Sequence, residues 1–347
     1  MEIKGILVTM TAPFENHRAN GGENILGNVP SIKKRPDDKC YVSGQMQRHV
    51  LFSSIDRFNS DYQRENHITA KDDKHTFVSN ADGITGKIES DLRADMGGFL
   101  HTIDGIGSIR RTSPISVTPA VATNKSDFGR DLLVRLNQNV NTTDQAIVST
   151  EYSKEDDMCM NFFLDVTSLS MYKTYKYEGN LHVSTECHKF AYEVERKRRA
   201  ELFLNATRFM NDYANQARNA VCGEPQKVLI VFDNVMSRKA SRYFKAGDKE
   251  KENILAELED RGATYFLGDD TQGEKSVLKA YKEALKFLDE NKLYCDKDDT
   301  KIETFDDVYT ALKRQIEEAN ANKNQKKGKG KKAVSSKDTS DITENDE

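Results

Sequence analysis

An apolar stripe within residues 40–62, CYVSGQMQRHVLFSSIDRFNSDY, constrains the fold more than any other stretch. Met46, Val50, Leu51, Ile55, Phe58 and Tyr62 recur every three or four residues, the period of one helix face. Ser43 stands at the N-cap position, where its hydroxyl can accept a backbone N–H of the first turn. A helix with such a stripe must lay it on a second layer. Residues 3–11 supply one, an opening strand whose Ile6-Leu7-Val8 run suits coverage on both faces.

The polar end of that helix is the first functional candidate. Gln45, Arg48 and His49 fall in its first two turns, so a capping hydroxyl, an amide, a guanidinium and free backbone N–H groups come together. Those donors suit phosphate, which a helix N-terminus already favours. Taken alone, they equally describe an ordinary amphipathic helix with a solvated start. Upstream lies TAPFENHRANGGENILGNVPSIKKRPDDKC, a Gly/Asn/Pro-rich loop of a length uncommon between a strand and a helix unless it has a function. It carries His17, Arg18 and Asn20, then the basic cluster Lys33-Lys34-Arg35, linked to Ser43 by only seven intervening residues. Asp37 and Asp38 follow that cluster rather than interleave with it, so its local positive field persists.

The rest of the chain is strand and helix in alternation. Residues 61–110 read as a polar insertion of short elements, with a turn of helix at 91–96 before Gly97-Gly98. Arg110 and Arg111 open SIRRTSPISVTPAVATN, whose β-branched residues and prolines suit an extended edge segment. Residues 124–157 read as a protruding hairpin, with Phe128 near its start and Asn-rich turn residues between two apolar runs. Residues 160–171 predict a strand, 189–221 a helix striped by Phe203, Ala206, Met210, Tyr213, Ala217 and Ala220, and 227–233 a buried strand. Helix, short strand and helix follow at 253–261, 263–267 and 278–288. Residues 1–320 therefore predict a single α+β domain with an interrupted ferredoxin-like or RRM-like sheet, a face suited to single-stranded RNA. The charged residues 321–347 predict a disordered tail, because they are too poor in apolar groups to offset ordering entropy.

Composition narrows the chemistry. Formal net charge is −4, so nucleic-acid binding would have to come from local patches. Five scattered cysteines, none spaced C-x-x-C, point to a reducing cytoplasm without a zinc module. No apolar run approaches a membrane span, and the N-terminus reads as a strand rather than a signal peptide. There is no nucleophile elbow, P-loop, dinucleotide fingerprint or H-E-x-x-H. The adjacent Cys187-His188 is no evidence of a dyad, and Asp72-Asp73 and Asp156-Asp157 read as solvated turns. On these grounds no enzyme, metal or cofactor is expected.

The segments EIKGILVTMTAPFENHRANGGE, SIKK, YVSGQMQRHVLF, ESDLRADMGGFL, RRTSPISVTPAVAT and NFFLDVTSLSMYK, in this order across residues 1–235, resemble the DevR-type Cas-seven family. Its members are the repeating backbone subunits of type I CRISPR Cascade complexes. The resemblance implies a modified RRM palm, a finger-like insertion at 61–110, a thumb at 123–158, and CRISPR guide RNA as ligand. It further implies head-to-tail stacking into an open helical filament, other Cascade subunits as partners, and target DNA read through the guide. Ser43, Gln45 and Arg48 match the family's helix-start RNA contacts, and Phe128 its thumb wedge. Arg18, Lys33 and Lys34 are basic positions of the loop near the RNA; Asn20, Arg35, His49, Arg110 and Arg111 complete the candidate set. Related type III subunits cut RNA with an aspartate before the first helix. Here that loop has Glu23 among glycines, with Asp37 and Asp38 close to the helix, and the resemblance is to the non-cleaving branch. The alternatives are a guide-processing endoribonuclease of the repeat-associated RNA-binding superfamily and a nucleic-acid-binding regulator.

Overall fold

Two long strands set the architecture. β1 (Gly5–His17) pairs antiparallel with the strand Gln145–Asp165, from Gly5 opposite Asp165 to His17 opposite Ser153. The computed structural model describes residues 1–19, 21–24, 30–59, 77–79, 82–84, 87–103, 107–136, 145–178, 181–297 and 301–334. After β1 come β2 (Tyr41–Val42), α1 (Gly44–Phe58), α2 (Leu92–Gly97), β3 (Phe99–Ile103), β4 (Gly107–Arg111), β5 (Ile115–Val117), β6 (Ala120–Ala122), β7 (Phe128–Leu136) and β8 (Gln145–Asp165). The chain continues through β9 (Met171–Glu178), β10 (Leu181–Lys189), α3 (Glu193–Arg208), β11 (Lys227–Asp233), α4 (Asp248–Asp260), β12 (Thr264–Asp269), α5 (Val277–Glu290) and α6 (Phe305–Val334).

The result is a mixed α/β fold on an antiparallel sheet ordered β12-β11-β1-β8-β6-β2, with β5 and β7 also paired to β8. Counting β1, β5/β6, β8 and β11 as first to fourth, the spatial order is fourth, first, third, second. Two strand–helix–strand crossovers interleave to give it. Because side chains alternate along a strand, β1 sends Ile6, Val8, Met10, Ala12 and Phe14 into one buried cluster with α1, α3 and α5. On the opposite face Leu7, Phe163, Leu229 and Val231 are covered by Ala240 and Tyr243 of a 3₁₀ turn and by Ile254 and Leu258 of α4. Coverage of both faces explains the unbroken apolar runs of β1 and β11.

The insertion is tied to this body by one buried carboxylate. Asp91 caps α2 by accepting the N–H groups of Arg93 and Ala94, and β3 and β4 join Phe77–Ser79 and Asp82–Ile84 in a separate four-stranded sheet. Asp95, with no exposed surface, accepts Arg111 Nη1 at 3.0 Å, Arg199 Nη1 at 2.6 Å, and Ser170 N and Oγ at 2.9 and 2.8 Å. Burial alone would raise this carboxyl, but Arg199 and then Arg111 more than offset it and hold it below the ordinary carboxylate range. A small aromatic cluster of Phe99, Phe190 and Phe305 anchors the start of α6 to the same region.

Several expectations are revised. β1 runs six residues past Thr11, despite Pro13 and a left-handed Asn16 (φ 44°), because β8 continues to pair with it. Tertiary pairing here overrides local preference. The helix expected over 189–221 ends at Arg208; the Asn/Asp-rich stretch beyond turns at Asn215 (φ 64°), while Met210 and Tyr213 stay buried. α1 ends at Phe58 with Asn59 as its cap, and Tyr62 lies outside the described residues. Residues 321–334, expected to be disordered, continue α6. The packed Phe305 and Val308 supply the costly nucleus, so extension needs only propagation. Residues 335–347 lie outside the described residues. The β9/β10 hairpin was not anticipated.

Candidate nucleic-acid interface

The helix start forms as expected. Ser43 holds extended backbone angles (φ −61°, ψ 150°) and its hydroxyl accepts the N–H of Met46 at 3.2 Å; no acid occupies the first turn. Gln45 and His49, four residues apart, are both exposed, and His49 Nε2 stands 3.9 Å from the Asp212 carboxylate. Arg48 is drawn sideways. Its guanidinium donates to the Gly97 carbonyl at 2.7 Å and to Ser113 Oγ at 3.0 Å, and lies 4.7 Å from the Phe52 ring. Arg48 therefore fixes α1 against the end of α2 while remaining partly exposed.

The basic cluster is built onto the root of the expected thumb. Lys34 bridges Cys40 and Arg35 N donates to the Lys39 carbonyl, a tight turn that Asp38 completes with φ 59°. Lys34 and Arg35 are exposed, and Lys33 is half-buried. Lys34 Nζ sits 4.6 Å from the centre of the Phe128 ring, a cation–π contact between two candidates far apart in sequence. Asp38 pairs with Lys125 at 2.7 Å, and the hydrogen bond from Lys125 holds its carboxyl below the usual range. β2 pairs with β6, Cys40 N donates to Ser126 Oγ at 2.8 Å, and Lys39 Nζ to the Thr123 carbonyl at 2.9 Å. Basic turn, the base of the β7/β8 hairpin and helix start thus share one framework.

Beneath that framework lies a buried lock. Asp156 accepts from His17 Nε2 at 2.7 Å, from Ser153 Oγ at 2.6 Å, and from Ser126 Oγ. Asp156 is only 4 % exposed, so the solvated turn expected at Asp156-Asp157 is corrected: β1, through His17, and Ser126 of the segment before β7 close over that carboxylate. His17, Cys40 and Asp156 offer ligand atoms within 4.8 Å of one another, but three donors already occupy the carboxylate, and burial followed by the Asp156 charge pushes the Cys40 thiol up, away from a metal-binding thiolate. The cluster reads as a structural clasp between β1 and the base of the β7/β8 hairpin.

The remaining candidates separate. The Arg18 carbonyl accepts from Asn215 Nδ2 at 2.8 Å, and Asn20 lies outside the described residues. Arg110 is exposed on β4 opposite Leu100. Arg111 is not a surface cation: its side chain is 7 % exposed and paired with Asp95, so its expected contact with a nucleic-acid backbone is corrected to a structural one. The hairpin predicted at 124–157 is present, with Phe128 opposite Ser153 and Leu136 opposite Gln145.

Residues 8–220 match the family described as CRISPR-associated negative auto-regulator DevR/Csa2. The chain belongs to this family. Two solved structures are similar in fold. One, a CRISPR RNA-guided surveillance complex in a pre-nicking state, has 10 % sequence identity and a TM-score of 0.50, covering 82 % of this chain and 99 % of that one. The other, a CRISPR RNA-guided surveillance complex, has 12 % identity and a TM-score of 0.47, covering 88 % and 99 %. No curated protein matches the chain. Among the described residues no helix is long and apolar enough to cross a membrane.

Proposed function

We propose that this DevR/Csa2-family chain is a non-catalytic backbone subunit that coats CRISPR guide RNA within a type I Cascade effector. The β1/β8 sheet is then an RRM-like palm, residues 61–110 the finger-like insertion and 123–158 the thumb. The fourth-first-third-second strand order is the one such a palm requires. The observation that carries the reading is Lys34 against Phe128 at the thumb root, framed with the backbone N–H groups of the α1 start. Exposed cations there hold the ribose-phosphate chain, Phe128 stacks on or wedges between bases, and sequence is read by guide–target pairing. Copies stack head-to-tail along the guide, joined by other Cascade subunits.

Co-expression with a CRISPR transcript tests this. The purified protein is expected to carry RNA and to sediment as an oligomer, and Lys34→Glu/Arg35→Glu to shed the RNA at moderate salt. Material free of RNA, or unchanged RNA content in that variant, sinks the proposal. Cleavage of complementary RNA that disappears on Asp37→Ala/Asp38→Ala overturns the non-catalytic part. The family's auto-regulator description favours a second reading, a DNA-binding regulator; recovery of one fixed duplex site in a binding selection would establish it.

A further inference from the structure

Sheet order leaves β12 at one margin of the main sheet, paired among the described residues to β11 alone. Such an edge is ordinarily blunted by proline, lysine or a bulge, because its free N–H and C=O groups template another strand. β12 carries none of the three: it reads Thr-Tyr-Phe-Leu-Gly-Asp, and its register with β11 is unbroken from Thr264 to Asp269.

The ladder fixes where its backbone groups point. In an antiparallel pair, alternate residues turn their N–H and C=O toward the neighbour. The Asp270 N–H donates to the Gln226 carbonyl in the same register, so Gly268, Phe266 and Thr264 bond inward, while Tyr265, Leu267 and Asp269 turn outward. The Asp269 N–H is taken by the Lys275 carbonyl, where the chain turns into α5. Tyr265 and Leu267 keep outward N–H and C=O groups with no backbone partner among the described residues. An extended polypeptide supplies matching donors and acceptors at that repeat, and a nucleic acid does not.

Symmetry and charge indicate which polypeptide. α5 runs antiparallel to β12: a Cβ at Gly268 would stand 2.8 Å from Val277 Cα, and the Phe266 ring lies 5.9 Å from that of Phe287. The groove between this edge and α5 is lined by Lys275 and Lys279 at its Gly268 end, and by Glu283 one helical turn further toward Phe266. These three side chains are exposed and form no ion pair among the described residues. We infer that β12 pairs antiparallel with β12 of a second copy, about a two-fold axis at Phe266. That register sets Tyr265 opposite Leu267 of the second copy and engages every free N–H and C=O of both edges. It also brings Lys275 and Lys279 of each copy beside Glu283 of the other. The contact is isologous and closes on itself. It is therefore separate from the head-to-tail stacking proposed above and does not require RNA.

The test is sedimentation equilibrium of the full chain freed of nucleic acid. Wild type is expected to form a concentration-dependent dimer. Leu267→Pro removes an N–H that β11 does not use, and proline is tolerated on edge strands. It deletes one hydrogen bond from each half of the interface and should weaken the dimer by about 30-fold. Glu283→Lys and Lys279→Glu should each weaken it by about tenfold, and an equimolar mixture of the two should recover it as a heterodimer. Both lie at exposed positions of α5, so the charge exchange decides the matter even where Leu267→Pro fails to fold. A monomeric wild type, or a dimer that all these variants leave within about twofold, overturns the inference. So does a mixture no tighter than either variant alone. Assembly beyond two copies that persists in Leu267→Pro would assign self-association to the head-to-tail contact and overturn it equally. The RNA content of co-expressed material is read separately and judges the proposed function alone.

Discussion

Replacing Asp95 by alanine removes the one carboxylate that neutralises two interior guanidiniums. Arg199 has 1 % and Arg111 7 % of its side chain exposed, and Ser170 loses both of its bonds to the same group. Stripping one partner from a buried ion pair costs about 3–5 kcal/mol. Arg199 keeps Glu195 at 2.8 Å, which tempers the loss, so about 4 kcal/mol is expected against a typical total of roughly 5–15 kcal/mol. With a urea slope of about 3 kcal/mol/M this moves the unfolding midpoint down by about 1.3 M. Acid supplies a second readout. The folded-state carboxyl is held below its ordinary value of 3.8, so its contribution is complete above that value and lost as pH falls through the depressed one. The gap between wild type and Asp95→Ala should therefore narrow on acidification below pH ~4. A midpoint shift under about 0.3 M, or a gap that widens in acid, refutes the assignment of Asp95 as the tie between insertion and body.

Four further outcomes are expected. Lys34→Gln should reduce the slope of log affinity against log salt for single-stranded RNA by about 0.7, the value of one phosphate contact, read by fluorescence anisotropy. Ser43→Ala should lower stability by about 1 kcal/mol through loss of the cap; Ser43→Asp should keep the cap yet weaken RNA binding, and equal binding would remove Ser43 from the interface. Gly98→Ala should cost about 2 kcal/mol or more in chemical denaturation, because φ is +72° and a Cβ would stand 2.6 Å from the Arg111 carbonyl oxygen and Ser113 N. Asp156→Ala should cost about 3 kcal/mol by orphaning buried donors, with His17 ring resonances in NMR reporting the loosened base of the β7/β8 hairpin.

The stretch from α1 to the β7/β8 hairpin shows how far residues alone could carry the reading. Ser43 as a cap, the apolar stripe of α1, the capped turn before Gly98 and the hairpin after Phe128 are local patterns, and the structure contains each of them. Charge could not be read locally in the same way. Arg110 and Arg111 are neighbours in sequence, yet alternation along β4 exposes one and buries the other against Asp95. Asp156 looked like half of a solvated turn until β1, extended past Thr11, closed over it.

What the sequence by itself determined, then, is the cap and apolar stripe of α1, the capped turn before Gly98 and the buried runs of β1 and β11, because side-chain period and capping chemistry act within a few residues. What only the tertiary structure decided is which charges meet: that Lys34 faces Phe128, that Arg48 turns to Gly97, and that two arginines share Asp95. Electrostatic partners act through space and desolvation, and both depend on how distant strands pair.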